Sequence, residues 1–294
     1  MEHKPVLLHE VIKILDPRDG EFFVDGTING GGHASEIVPR IAPNGALLGI
    51  DWDVNAIANV KQKFTKEQAR VILINDTYAR LPEILREKKL PKVDGLLLDL
   101  GFSSNQIGQS GRGFSFLHDE LLLMTYNDEV TPVHEILREI SERELIQVLR
   151  TYGEERLAPR IARAIKEAGR TKKIQTSGEL AKIISSSVPP SYRRGRIHPA
   201  TRTFQALRIY ANHELENIEN ILKALPRIMN HNGRVAIISF HSLEDRIVKT
   251  SFKQYEKEGV VKLLTKKPIT PTVMEIRENP RSRSAKLRAI KFSH

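Results

Sequence analysis

Residues 22–53 read FFVDGTINGGGHASEIVPRIAPNGALLGIDWD, and this stretch decides the fold. One apolar segment ends in Asp25 and runs into glycines; a second ends in Asp51 after a helix-like crossover. Glycines that follow a strand let the next helix begin close by, with its N–H groups facing a ligand. An acid roughly 20 residues further on can accept the ribose hydroxyls of a nucleoside. The pattern therefore predicts a nucleoside cofactor at the carboxyl edge of a parallel sheet.

The composition indicates a globular protein. The chain has 294 residues, of which 40% are hydrophobic, so it can bury a sizeable core. The N-terminal MEHKP lacks the apolar block of a secretory signal, and no apolar run reaches the roughly 18 residues that span a bilayer. The absence of cysteine excludes disulfides, thiolate metal sites and cysteine nucleophiles. We expect a cytoplasmic protein that has no membrane partner.

The charge favours a polyanionic partner such as nucleic acid, because the net charge is +10. No acidic residue lies between Asp99 and Asp119, or between Glu179 and Glu214. The second window holds Lys182, Arg193, Arg194, Arg196, Arg202 and Arg208. A run of charge is ordinarily a solvated face, but windows that lack acids favour contacts to phosphates.

The first third of the chain alternates strand and helix patterns, with strands expected at 21–25, 46–50, 70–74 and 93–99. Continuous apolar runs such as VILI (71–74) are typical of strands buried on both faces. The alternation predicts an α/β fold with a Rossmann-like, mostly parallel sheet. Further strands are expected at 235–238, 260–264 and 287–292, after a turn at 232–233.

Helical patterns dominate the middle of the chain. Capping boxes are predicted at Ser141 with Glu144 and at Thr176 with Glu179, and one long helix is expected over 200–225. We therefore predict a domain interrupted by an insertion. Its first part is 1–107, a helical insertion is 108–200, and its second part is 201–294.

The glycine loop distinguishes between cofactors. The dinucleotide fingerprint G-x-G-x-x-G is not satisfied, because Ser35 stands where the last glycine or alanine belongs. Asp25 at the strand end fits S-adenosylmethionine (SAM) better than NAD. Asp51 would hold the ribose, and Asp99 would close the site at the end of the fourth strand. After the third strand, Asp76-Thr77-Tyr78 could clamp the adenine by stacking and hydrogen bonding.

Eight stretches carry a family resemblance: HKPVLLHEV (3–11), DGTINGGGH (25–33), DGLLLDLGFSSNQ (94–106), RGFSF (112–116), YGEERLAPRIARAI (152–165), HPATRTFQALRI (198–209), ISFHSLEDRIVK (238–249) and ENPRSR (278–283). In this order they resemble the small-subunit ribosomal RNA (cytosine-N4) methyltransferases. The resemblance implies a class I SAM-dependent methyltransferase fold with an inserted helical domain that binds the substrate, which corresponds to the insertion at 108–200. It also implies methylation of the exocyclic N4 of a cytidine in the decoding region of 16S ribosomal RNA.

The resemblance also implies site residues. The matching positions suggest SAM contacts from Gly31, Gly32, His33, Asp51, Tyr78, Asp99 and Gln106, of which His33 and Gln106 rest on the resemblance alone. The sequence departs from the family where an acid and an arginine are replaced by Leu123 and Thr125. If those groups hold the target nucleotide, this chain must use others, such as Tyr126 or Asn127.

The expected chemistry needs an acceptor for a hydrogen of the cytosine amino group, and Asp99 is the catalytic candidate. The target base must leave its stack, and Phe102, Phe114, Phe116 and Tyr126 are either stacking partners or core aromatics. The arginines expected to grip RNA phosphates are Arg112, Arg193, Arg194, Arg196 and Arg202. The histidines show no H-E-x-x-H metal pattern.

Other interpretations stay open at this point. His241 follows a predicted strand and could touch substrate or cap the next helix. The loss of the family acid and arginine would also suit a SAM-binding ribosome assembly factor without catalysis. An NAD-dependent oxidoreductase and a DNA amino-methyltransferase are further alternatives on the same βαβ platform.

Overall fold

The computed structural model describes residues 4–65, 69–101, 111–195 and 197–293. The chain forms two compact units. One combines Met1–Gly101 with Leu215–His294, and we call it the sheet unit. The other is Phe102–Glu214, the helical unit. Among the described residues, no helix is both long and apolar enough to cross a bilayer.

The sheet unit is built on a seven-stranded sheet in the order β3-β2-β1-β4-β5-β7-β6. Strands β1 to β5 pair in parallel, and β7 pairs antiparallel with β5 and β6. This confirms the predicted mostly parallel α/β fold. The bounds are β1 Phe22–Asp25, β2 Ala46–Asp51, β3 Arg70–Asn75, β4 Val93–Asp99, β5 Met229–Ser239, β6 Val261–Leu263 and β7 Lys286–Phe292.

Helices cover both faces of this sheet. Leu48 and Leu96 belong to one apolar cluster and Leu47 and Leu97 to another, because successive strand side chains point to opposite faces. Burial on both sides explains the uninterrupted apolar runs of β2 and β4. The run expected to be buried in the same way at 71–74 is only partly buried, because β3 is an edge strand. The helices are α1 Leu8–Leu15, α2 Ala34–Ile41, α3 Val54–Lys63, α4 Leu81–Glu87, α11 Glu214–Ile228, α12 Ser242–Lys257 and α13 Val273–Glu278, with 3₁₀ turns at Tyr78–Arg80 and Pro280–Ser284.

The helical unit has its own apolar core, which includes Leu145, Ile161 and Leu180. Its helices are α5 Val133–Glu139, α6 Glu142–Gly153, α7 Ala158–Thr171, α8 Ser177–Ser187, α9 Pro190–Arg193 and α10 Ala200–Ala211. Both predicted capping boxes are present, at the starts of α6 and α8. Each satisfies two N–H groups that a helix start leaves without intrahelical partners.

The structure corrects two local predictions. The single long helix expected over 200–225 is two helices, α10 and α11, separated where His213 adopts a positive φ of 52°. The turn expected at 232–233 lies inside β5, where Asn232 has φ 63° and the pairing of β4 with β5 shifts register.

The units also differ from the predicted domain limits. The helical unit extends to Glu214 rather than ending at 200. The reason is that Phe204 and Leu207 of α10 pack into the helical core.

Candidate cofactor site

Three carboxylates mark the carboxyl edge of the sheet. Asp25, Asp51 and Asp99 are the last residues of β1, β2 and β4. Strand order reverses between β1 and β4, and open α/β sheets bind ligands outside such a switch point. The three residues are only 2%, 6% and 5% exposed. The edge therefore concentrates buried acids where the sequence predicted a cofactor.

The loop between β1 and α2 depends on glycine at several positions. Gly31 has a positive φ of 69°, which glycine adopts without steric cost. A Cβ added to Gly26 would lie 2.5 Å from Leu98 Cδ2 and 3.0 Å from Tyr78 Cβ. A Cβ on Gly32 would lie 3.0 Å from Pro5 Cβ. The loop is consequently closely packed, and Tyr78 lies against its first glycine.

Asp51 is held by backbone donors from two directions. The N–H of Asn29 donates to Oδ2 at 2.8 Å, and the N–H of Asp53 donates to Oδ1 at 2.9 Å. Burial raises the pKa of Asp51 to about 6, although these N–H groups oppose the rise. The side-chain amide of Asn75 donates to the carbonyls of Asp51 and Trp52, which joins the ends of β2 and β3. This role of Asn75 was not predicted from the sequence, because it depends on the pairing of β2 with β3.

Asp25 is the most deeply buried of the three acids. Burial raises the pKa of Asp25 to about 7, the N–H of Thr27 lowers it, and the nearby carboxylates of Asp99 and Asp51 raise it further. Near neutral pH this carboxyl therefore holds a proton part of the time. A cationic ligand at this edge would favour the ionised form, because opposite charges lower the pKa of an acid.

Asp99 is positioned by the loop that follows β1. Its N–H donates to Thr27 Oγ1 at 2.7 Å, and its Oδ1 accepts weakly from the N–H of Gly101 at 3.3 Å. A Cβ on Gly101 would meet the Phe240 ring at 2.6 Å, so the turn after Asp99 requires glycine. Thr27 therefore links the ends of β1 and β4, a role that the sequence analysis did not assign.

His33 is a neutral neighbour of Asp99. Its Nε2 lies 3.0 Å from the Val6 carbonyl and donates to it, which leaves Nδ1 unprotonated. Burial lowers the pKa of His33 to about 4. Nδ1 lies 3.9 Å from Asp99 Oδ2, too far for a direct hydrogen bond. The pair therefore presents an acceptor nitrogen and a carboxylate at the same edge.

The segment after β3 only partly follows the expectation for adenine. Asp76 accepts from the N–H of Thr77 and from Arg80 Nη1, both at 2.7 Å. Its two oxygens each accept one bond within the protein, and adenine recognition by Asp76 stays a prediction. Tyr78 opens the 3₁₀ turn and packs partly buried against the core. Its stacking on adenine stays a prediction.

His241 caps a helix. Its Nδ1 accepts from the N–H of Glu244 at 3.4 Å, and Glu244 Oε2 accepts from the N–H of His241 at 3.2 Å. These contacts form a capping box at the start of α12. Of the two interpretations offered by the sequence, the structure supports the helix cap.

The predicted RNA-binding arginines have different surroundings in the helical unit. Arg193 and Arg194 are exposed, and Arg202 is half-buried. Arg112 instead donates to the Thr125 carbonyl at 2.7 Å, to Thr125 Oγ1 at 2.9 Å and to Asp128 Oδ1 at 2.8 Å. Arg112 thus clasps the loop that departs from the family, which argues against the predicted phosphate contact. Gln106, Arg196 and Phe102 lie outside the described residues.

The aromatic candidates pack within the helical unit. Phe114 stacks with Tyr126 at a centroid distance of 5.5 Å. Phe116 stacks with His198 at 4.4 Å and meets the edge of Phe204 at 5.2 Å. Tyr126 also donates its hydroxyl to Glu214 Oε1 at 2.9 Å. These contacts favour core aromatics over base-stacking partners.

Comparison with known proteins identifies close relatives. A sequence profile described as the MraW methylase family matches residues 1–293. Proteins named ribosomal RNA small subunit methyltransferase H are similar along nearly the whole chain. The one from Syntrophus aciditrophicus is 43% identical, covering 97% of this chain and 96% of its own. The one from Sulfurihydrogenibium sp. is 42% identical over 98% of each chain. The one from Coprothermobacter proteolyticus is 43% identical, covering 99% of this chain and 96% of its own.

Proposed function

The chain belongs to the MraW methylase family, and we propose that it methylates the exocyclic N4 of a cytidine in the decoding region of 16S ribosomal RNA. The methyl donor is S-adenosylmethionine. The substrate is the RNA within a small ribosomal subunit, and the place of action is the cytoplasm. The observation that carries the proposal is the set of three buried carboxylates at the switch point of the sheet.

The donor set fits this cofactor. A sulfonium and a ribose diol need negative charge and hydrogen-bond acceptors, and Asp25, Asp51 and Asp99 supply both. The tightly packed glycine loop brings backbone close to the same edge, as Gly26, Gly31 and Gly32 demonstrate. When bound, the cofactor supplies a methyl group on a sulfonium that leaves as a neutral thioether. The predicted dinucleotide alternative, NAD, is less suited, because its pyrophosphate would face three buried acids.

Each residue has a proposed task. Asp51, already oriented by two N–H donors, accepts the ribose hydroxyls. Gly31, Gly32 and His33 line the loop, and Tyr78 stacks on the adenine. Asp25 contributes negative charge to the edge without requiring a direct contact. Gln106 is carried over from the family as a further contact and lies outside the described residues.

Asp99 is the proposed catalytic residue. The lone pair of the cytosine amino group is delocalised into the ring, so the nitrogen is a poor nucleophile. A carboxylate that accepts one amino hydrogen encourages the nitrogen to pyramidalise as it forms its bond to the methyl carbon. The amino group loses one proton in the reaction, and Asp99 is the acceptor. Most of the rate enhancement should come from the alignment of donor and acceptor.

The helical unit is the proposed RNA-binding part of the enzyme. Arg193 and Arg194 are exposed in a window without acids, and Arg202 follows in α10. Such side chains contact phosphates, which supply most of the affinity between proteins and nucleic acids.

A methyl-transfer assay tests the proposal. Small subunits from a strain that lacks the gene are incubated with the protein and tritiated S-adenosylmethionine. The RNA nucleosides are then separated by liquid chromatography and identified by mass spectrometry. We expect label in N4-methylcytidine. Calorimetric binding of S-adenosylmethionine without any transfer would instead indicate a non-catalytic assembly factor. That alternative is not favoured, because the relatives are named as methyltransferases.

A further inference from the structure

The excess positive charge of the chain lies in one segment. Residues 156–208 contain 13 lysines and arginines but only two acids, Glu167 and Glu179. The rest of the chain has 33 basic and 34 acidic residues and is nearly neutral. The net charge of +10 therefore originates entirely in a segment of the helical unit.

A cavity of about 310 Å³ in the helical unit gathers part of this charge. One wall is α7, from which Lys166, Gly169 and Arg170 line the cavity, followed by Lys173 just beyond the helix end. The spacing of Gly169 and Arg170 from Lys166, three and four residues, places these helical positions on one face of α7. The other wall is α5, which contributes Arg138. The volume lies at the lower end of the range for small-ligand sites.

The cationic side chains that line this cavity differ in how many bonds they form within the protein. The ammonium of Lys166 donates to the carbonyls of Leu137, Arg138 and Ile140 at 2.9, 3.2 and 2.7 Å, so it is fixed in place at the end of α5. Arg138 has only a surface ion pair with Glu139, at 3.1 Å. Within the described ranges, neither Arg170 nor Lys173 forms an ion pair, and both side chains are exposed.

A second cavity in the same unit shows that this charge is local. It measures about 570 Å³ and is lined by Glu129, Glu139 and Glu144. The basic cavity contains one acid, Glu135, against four cationic side chains. These two cavities thus carry opposite charge, and of the two the basic one is suited to attract an anion.

We propose that the cavity formed by Arg138, Lys166, Arg170 and Lys173 is a subsite for a phosphate of the RNA backbone. The inference rests on the proposed function, which supplies RNA as the polyanion. None of these residues belongs to the predicted SAM site or to the five arginines expected to bind RNA. The subsite positions RNA without reading its sequence, since phosphate contacts carry no base information.

The test compares two charge-matched double variants of the full chain. Arg170→Gln with Lys173→Gln removes two exposed cations of the cavity and leaves Arg138 and Lys166 in place. Lys253→Gln with Lys257→Gln removes equal charge from exposed positions of α12, outside the cavity. Affinity for a fluorescein-labelled decoding-region RNA is measured from 50 to 300 mM KCl. We expect the cavity variant to bind roughly tenfold more weakly near 100 mM, with a log–log salt slope shallower by about 1.5, because about two phosphate contacts are lost. Equal losses in both variants would overturn the proposal.

A second pair of variants adds charge instead of removing it. An added Cβ at Gly169 meets nothing within 4 Å, so a longer side chain fits there and also favours the helix. Gly169→Glu should weaken RNA binding severalfold, whereas Gly169→Gln should leave it close to wild type. A similar effect of both would contradict an electrostatic site. If Gly169→Glu lost binding of inorganic phosphate but bound RNA like the wild type, the assignment of RNA as the ligand would also be overturned.

Methyl transfer to small subunits separates this inference from the proposed function. The Arg170→Gln, Lys173→Gln variant should raise the KM for subunits severalfold and leave kcat unchanged, because the cavity binds without reacting. If wild-type protein transfers methyl groups and the variant has an unaltered KM, only the subsite is refuted. If wild-type protein transfers none to any subunit, the proposed function itself fails, and the subsite loses its substrate with it.

Discussion

The carboxyl edge of the sheet and the basic segment of the helical unit carry opposite charge. The charged side chains are buried at the sheet edge and exposed in the basic segment. At the sheet edge, Asp25, Asp51 and Asp99 are almost fully buried, and backbone N–H groups orient Asp51. In the helical unit, Arg193 and Arg194 are exposed. Buried acids give a fixed site for one small cation, whereas exposed cations suit a long, flexible polyanion whose binding depends on salt. We therefore expect that altering one region impairs recognition of its own ligand, cofactor or RNA, and leaves recognition of the other unchanged.

The largest expected effect concerns catalysis at the sheet edge. Asp99→Asn retains the size of the side chain but removes the carboxylate that accepts the amino proton, so kcat should fall by about 10²–10⁴. Tritium transfer to small subunits at saturating substrate measures it. The control is Asp94→Asn, because Asp94 lies in the same strand yet bonds to the N–H of Phe22 away from the edge. A kcat within a few-fold of wild type would remove Asp99 from its catalytic role.

The next effect concerns cofactor affinity. Asp51→Asn replaces a charged acceptor with an amide that cannot satisfy both N–H donors and the ribose. Loss of charge-assisted hydrogen bonds costs about 2–3 kcal/mol, so the Kd for S-adenosylmethionine should rise roughly 30- to 150-fold. Calorimetry measures this, and RNA affinity should stay unchanged. An unaltered Kd would show that the ribose is held elsewhere.

The affinity for S-adenosylmethionine should also depend on pH. The pKa values of Asp25 and Asp51 are raised to about 7 and about 6, so both carboxyls become protonated as the pH falls from 8 to 5.5. His33, with its pKa lowered to about 4, stays neutral over this range. Protonation removes the negative charge that Asp25 adds to the edge and the charged ribose acceptor at Asp51, so binding should weaken about tenfold. S-adenosylhomocysteine lacks the sulfonium, so its binding should weaken less as the pH falls. Calorimetry at each pH measures both affinities, and parallel curves of Kd against pH for the two ligands would argue against this electrostatic role.

The exposed cations should show the smaller, salt-dependent effect. Arg193→Gln with Arg194→Gln should weaken RNA binding about fivefold near 100 mM KCl and make the salt slope shallower by about 1 to 2. Binding of S-adenosylmethionine should not change. Lys253→Gln with Lys257→Gln removes equal charge from exposed positions of α12 and serves as the control. An unchanged slope in the arginine variant would exclude both residues from the RNA interface.

The smallest effect on function is expected at Arg112. Arg112→Gln breaks its hydrogen bonds to Thr125 and Asp128, which should lower the free energy of unfolding by about 2 kcal/mol. Urea titration measures the loss. Because the guanidinium is occupied within the protein, the salt slope for RNA should stay at the wild-type value. A shallower slope would restore Arg112 as a phosphate contact.

Local features of the chain were predictable from sequence. Asp25, Asp51 and Asp99 each end an apolar run, so their place at one edge follows from a parallel sheet. Both capping boxes followed from the spacing of a hydroxyl and a glutamate, since each contact spans only three residues.

Contacts between distant parts of the chain were not predictable in this way. The helix expected over 200–225 breaks after Asn212, whose amide donates to the Met124 carbonyl at 2.7 Å and accepts from the N–H of Tyr126 at 3.0 Å. The apolar spacing continues past this break and contains no sign of it. The clasp of Arg112 and the stacking of Phe116 on His198 are likewise tertiary contacts, which override local pattern.

A crystal structure of the protein with S-adenosylhomocysteine tests the central claim most directly. We expect the ribose hydroxyls on the Asp51 carboxylate and the homocysteine moiety beside the glycine loop, with the sulfur facing Asp99. A ligand bound anywhere else, or a sheet edge closed by the protein's own side chains, would contradict it.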